Sequence, residues 1–231
     1  MKTSTVSNVN SRRQSLNSGR IFQGAVGLAD EIGVDALTIR KLALVLGVKP
    51  MTIYHYVPNK EAIIDGMVDC VFGEIDLPQL DVNWKLAIRQ RSASVRAVLA
   101  QHSWAATLME SRRTPGIATL RQHDATIGCL RHGGLSVEMT AHAYAVIDAF
   151  IYGFAIQEAS LPAKSGQEMK DLAQSVLETT SMADYPHLME LTTQHILQPG
   201  YDFSCEFDFG LNLILDGLEN AVRLSVTLDK A

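Results

Sequence analysis

Apolar residues recur along this chain with helical spacing, and no alternating strand pattern runs for more than a few residues. Ile21, Ala25, Leu28 and Ile32 fall at i, i+4, i+7 and i+11, one stripe of an amphipathic helix that Gly33 ends. Thr38 is a good N-cap for a second, short helix whose inward face is Ile39, Leu42 and Ala43, and Gly47 stops it. Pro50 suits the first position of a third helix, where its missing N–H costs nothing. Pro58 pushes Val57 out of helical geometry, and Asn59 caps a fourth helix with Glu61 in its first turn, where the dipole favours an acid. Four helices thus fill about sixty residues, the middle two short and joined by a glycine turn.

Beyond them the pattern predicts helices over 60–75, 83–101, 104–111, 115–132, 137–160, 166–182 and 206–228, punctuated by Pro78, Pro115, Gly133-Gly134, Pro162 and Pro199-Gly200. Residues 1–14 are polar and aperiodic and read as a flexible tail carrying Arg12 and Arg13. The expected fold class is all-α: a three-helix helix-turn-helix DNA-binding domain over 15–62 and a larger helical ligand-binding and dimerisation domain over 63–231.

Charge changes this picture more than composition does. The net charge of the 231 residues is −5, which argues against a polyanionic partner until its distribution is seen. Residues 1–60 hold eight Lys and Arg against Asp30, Glu31 and Asp35, a net +5, so the remainder carries −10. DNA would be attracted to the first quarter and repelled by the rest. Hydrophobic residues make up 47% of the chain, an ordinary globular share, and the Ser- and Asn-rich start lacks the apolar run of a signal peptide, so the expected location is the cytoplasm. Cys70, Cys129 and Cys205 form no Cys-x-x-Cys pair and read as small buried hydrophobes.

Thr38 to Asn59 has the spacing of a DNA-reading helix-turn-helix. Arg40, Lys41 and Lys49 stand at helix starts, where a cation opposes the dipole by ~0.3–1 kcal/mol, a placement that phosphates in front of those helix ends would justify. In the third helix Thr52 and His55 can hydrogen-bond bases, Tyr54 a phosphate, and Met51 can touch a thymine methyl, while Ile53 anchors the core. The same shape also occurs in proteins that never touch DNA.

The runs Thr38-Ile-Arg-Lys-Leu-Ala43, Leu46-Gly-Val48, Thr52-Ile-Tyr54 and Tyr56-Val-Pro-Asn-Lys60 resemble the signature of the tetracycline-repressor (TetR) family. The resemblance implies that Arg40 and residues 50–55, with Pro50 among them, read bases in the major groove, while Thr38, Tyr54 and Lys60 hold phosphates. Lys49 joins the DNA-binding set. The closing segment Phe207-Asp-Phe-Gly-Leu-Asn-Leu-Ile-Leu-Asp-Gly-Leu-Glu219 is similar to the subgroup nearest the tetracycline repressor itself. Residues 100–116 depart from that subgroup, so its magnesium–tetracycline contacts are not carried over.

The stretch Ala143 to Ile156 is apolar on all sides apart from Asp148, too short at about 14 residues for a membrane span of ~20, and so must be buried all round. The last helix has Phe207, Leu211, Ile214, Leu218 and Val222 on one face and Phe209 and Leu213 on another. Pairing both helices with their copies gives a four-helix dimer interface of Ile147, Ile151, Phe154, Leu211, Ile214, Leu218 and Val222; the alternative is a central place in a monomeric core. For a small organic ligand the candidates are Met67, His102, Trp104, Met109, His123, Tyr144 and Phe150, each of which could equally be core packing. His102, His123, His132 and His142 form no recognised metal motif, and no cofactor is expected. No phosphate-binding glycine loop, His-Glu-x-x-His or Gly-x-Ser-x-Gly occurs, so an enzyme is not expected. The expected function is a ligand-responsive repressor of operator DNA; the alternative is a DNA-binding dimer regulated through a protein partner.

Overall fold

A computed structural model describes residues 15–109, 111–163, 165–182 and 184–228, with side chains to residue 223; the expected tail at 1–14 lies outside them. No strand occurs among the described residues. The chain divides into two compact units, residues 1–67 and 68–231.

The first unit contains α1 (Ser18–Ile32), α2 (Ile39–Leu46), α3 (Pro50–Ile53) and the start of α4 (Lys60–Glu74). The punctuation acts as the sequence predicts. Thr38 caps α2 by accepting the Lys41 N–H at 3.3 Å, and Asn59 accepts the Ala62 N–H at 2.8 Å at the head of α4. Gly47 takes the left-handed conformation, φ 67°, which a Cβ would strain. Ile21, Ala25 and Leu28 are buried, with Leu37, Leu42, Ile53, Val57 and Ile63. Ile32, the last member of the expected stripe, is exposed: it lies in the final turn, and Leu37 fills the core instead. Helices approach closely here. A Cβ on Gly24 would stand 2.8 Å from Leu46, and one on Gly66 2.5 Å from the Phe22 ring.

The second unit continues with α5 (Trp84–Gln101), α6 (Ile117–His132), α7 (Val137–Ser160), α8 (Gly166–Thr179), α9 (Pro186–Leu191), a π-helical turn (Thr192–Ile196) and α10 (Cys205–Leu228). α7 packs against α5, α6 and α10, and α5 against α6. At 24 residues α7 is long and apolar enough to cross a membrane by length and composition, which removes the argument from a 14-residue stretch. Its packing against α5, α6 and α10 accounts for the buried part of that composition and leaves Val137, Val146 and Ile156 exposed.

Three expectations change. Residues 104–109 form successive turns, not a helix; the Thr107 hydroxyl bonds the Trp104 carbonyl at 3.3 Å and the Ser111 hydroxyl the Leu108 carbonyl at 2.9 Å, competing with helical pairing. α9 and the π turn are an addition. Of the thiols, Cys129 is buried, but Cys70 is half-buried and Cys205 exposed.

Candidate DNA interface and sensor core

The stretch from Ala36 to Lys60 carries four cations, Arg40, Lys41, Lys49 and Lys60, and no carboxylate. All four are exposed; the Lys41 ammonium also donates to the Ala36 carbonyl at 3.0 Å, pinning the turn before α2. In α3 and the turn that follows it, Ile53 is fully buried and fixes the helix to the unit, while Pro50, Met51 (70% exposed), Tyr54 and His55 are exposed and Thr52 is half-buried. Thr38 is exposed beside its cap bond. The nine residues expected to meet DNA therefore have solvent access. Leu44 (82% exposed) and Val45 (57%) are equally prominent on α2 and were not singled out in the sequence. The signal was the run from Leu42 to Leu46: once Leu42 and Ala43 turn inward, helical geometry turns the next two residues out.

The ligand candidates separate into groups. Met67 is fully buried at the end of the N-terminal unit. In the second unit, His123 Nδ1 and the Tyr144 hydroxyl are 3.0 Å apart, and the His123 ring lies 5.5 Å from Phe72. His102 pairs with Glu74 at 3.0 Å and meets the Trp104 ring edge-on at 6.2 Å. Met109 is buried. Phe150 belongs elsewhere, stacked on Phe207 at 5.5 Å in an aromatic cluster that Arg96 covers from 4.9 Å. Among the described residues no three His, Cys, Asp or Glu side chains gather as a metal site would require.

Two further features were missed. Asp69 on α4 accepts the Thr119 N–H at 2.8 Å and the Thr119 hydroxyl at 2.9 Å, so a carboxylate on α4 caps the first turn of α6, and a Cβ on Gly116 would collide with it. Buried polar atoms without a protein partner also recur on the three mutually packed helices: Arg91 Nε and Nη2 on α5, Gln122 Oε1 and His123 Nε2 on α6, and Asp148 Oδ2 on α7.

Comparison with known proteins draws these parts together. Residues 21–67 match the family model "Bacterial regulatory proteins, tetR family", and residues 77–222 match "Tetracyclin repressor-like, C-terminal domain". The chain belongs to the TetR family. It is 26% identical over 215 residues to the HTH-type transcriptional repressor DrrR1 of Streptomyces coeruleorubidus, covering 90% of this chain and 78% of that one. It is 27% identical to the class A tetracycline repressor of Escherichia coli, over 88% and 90% of the two chains. Among solved structures, the TetR-family protein ActR of Streptomyces coelicolor, in complex with actinorhodin, superposes with a TM-score of 0.74 at 26% identity, over 90% and 99%.

All nine expected DNA-contact residues fall inside the matched TetR-family N-terminal segment. The expected dimer residues divide. Ile147, Ile151, Phe154 and Leu211 are buried in the chain's own core and have almost no surface left for a partner; Ile214, Leu218 and Val222 are half-buried. Among the described residues, the exposed large apolar side chains on these two TetR-family helices are Val137, Val146 and Ile156 on α7 and Phe209 (63%) and Leu213 (59%) on α10.

Proposed function

We propose that this chain is a dimeric repressor that binds an operator through α2 and α3 and is released from it by a small organic molecule held in the second unit. The observation that carries this reading is α4. It runs unbroken from Lys60, among the cations of the first unit, to Glu74 in the second, and seven residues past its middle Gly66–Met67 turn it reaches Glu74 beside His102. Its Asp69 caps α6, the helix that also carries Gln122 and His123. An effector that shifts α6 therefore pulls on the same rod that presents Lys60.

The dimer uses the second apolar face of each helix: Val146, Ala149 and Gly153 on α7, with Phe209 and Leu213 on α10. A dimer sets two reading helices ~34 Å apart, one turn of B-DNA, on a pseudo-palindromic site. The ligand-bound state has another spacing. A tenfold to hundredfold loss of operator affinity needs ~1.4–2.7 kcal/mol of coupling, and DNA must weaken ligand binding equally. Its place of action is the cytoplasm, where operator DNA lies.

The test is selection of sites from a random duplex pool by the purified protein, followed by titration of the enriched site across salt concentrations. An inverted repeat with a steep salt slope is expected. Truncating Tyr54 or Lys60 should weaken binding to all sequences and reduce that slope, whereas changing Arg40 or Thr52 should alter base preference. Equal effects of all four on specific and random DNA would refute the assignment of the reading helix.

A further inference from the structure

Among the described residues Arg91 is the largest fully buried side chain, 1% exposed, and it sits on α5 against Asp148 of α7, 4% exposed. The pair meets through one hydrogen bond, Nη1 to Oδ1 at 3.2 Å. Other cations of this unit are better used and wetter: Arg96 binds Glu158 and the Ser204 carbonyl, and Lys85 binds Asp216 and Glu219. A buried ion pair with so few bonds contributes no more to stability than apolar residues of equal volume. Buried polar groups in native proteins have partners, so three unpartnered atoms in one pair point to a partner outside the chain.

The atoms involved say what that partner offers. Nε–H and Nη2–H lie on one edge of the planar guanidinium, parallel to each other, and together present two donors; Nη1, on the other side, is held by Asp148. Asp148 Oδ2 presents an acceptor. The pair is already neutral as a whole, and either an anion or a cation would add a charge with no counter-ion in this buried place. Gln122 Oε1, on the neighbouring helix, is a further acceptor.

We propose that the Arg91–Asp148 pair is the polar anchor of the effector, and that the effector is an uncharged hydroxy-carbonyl compound. Its carbonyl oxygen accepts from the Nε–Nη2 edge and its hydroxyl donates to Asp148 Oδ2. This rests on the reading of the protein as a ligand-released repressor.

The test uses the full chain and a panel of uncharged hydroxy-ketones of one to three rings, each with its O-methyl ether and a carboxylate of equal size. Thermal shift reads binding, and release from the selected site reads function. At saturation at least one hydroxy-ketone should raise Tm by about 5 °C, and methylating its hydroxyl should weaken it about tenfold. Single substitutions leave a lone buried charge and can unfold the protein, so the decisive variant is Arg91→Met with Asp148→Leu, its fold checked by circular dichroism. That double variant should lose the response. Undiminished binding by it would mean that water alone bridges the pair, and would overturn the proposal. So would preference for the carboxylates, or no binding by any hydroxy-ketone. Binding without operator release would instead leave the anchor standing and sink the repressor reading.

Discussion

The three thiols differ in what surrounds each sulfur. Burial pushes the Cys129 thiol up, and burial, with Asp69 and Glu74 adding negative charge, pushes up Cys70. Since the thiolate is the reactive form, Ellman's reagent at neutral pH should consume one equivalent quickly at exposed Cys205, with the other two reacting only on denaturation. A fast second equivalent would show that Cys70 is more open than described. At Asp69 the consequence is both local and functional. Asp69→Ala removes the acceptor of two α6 bonds and should cost about 0.5–2 kcal/mol in denaturant unfolding, as loss of an N-cap does. It should also reduce the effect of an effector on operator affinity while leaving the affinity of the ligand-free protein near its starting value. Titrations with and without effector check this.

Between elements, α5 is tied to α10 by Lys85, which reaches Asp216 at 2.6 Å and Glu219 at 3.0 Å. Hydrogen bonds from the Lys85 ammonium hold both carboxyls below the usual range. Their contribution is complete above pH ~4, the unfolded value, and disappears as pH falls through the lower folded values. Acid unfolding below pH ~4 should therefore become shallower in Lys85→Met, and 0.5 M salt should narrow the difference because the carboxylates are exposed. Element boundaries were the most legible part of the sequence. Thr38, Gly47, Pro50 and Asn59 mark helix ends by their own chemistry, so α1 to α4 could be read directly. α9 was missed although Pro186 stands at its first turn, because Thr192, Thr193 and His195 are poor helix formers and the stretch continues as a π turn. The face of α7 that its own chain leaves uncovered could not be read. A helix apolar on every side gives no sign of which side its own chain will cover, and that depends on where α5, α6 and α10 pack. The Arg91–Asp148 pairing was hidden for a similar reason, since its members are 57 residues apart and only Asp148 stood out in its run.

For the molecule as a whole, the two kinds of apolar residue on α7 and α10 should separate in mutants. Phe209→Asp or Leu213→Asp should shift sedimentation from dimer toward monomer and make Tm depend more strongly on concentration. Ile147→Ala should cost about 2–5 kcal/mol of folding stability, as large cavities do, without a matching change in association. A monomeric wild type would remove the dimer from the proposal. α4 carries a last consequence. If the first unit melted, residues 68–74 would keep the packing of Val68, Val71 and Phe72 in the second unit, but their leading N–H groups would lose their hydrogen-bond partners. Neither unit can unfold up to the boundary without fraying the other's secondary structure, so the two share one cooperative segment. Heat capacity and hydrogen exchange should then report a joined transition, and a molecule that tightens the second unit should slow amide exchange in α4 on the Lys60 side of Met67.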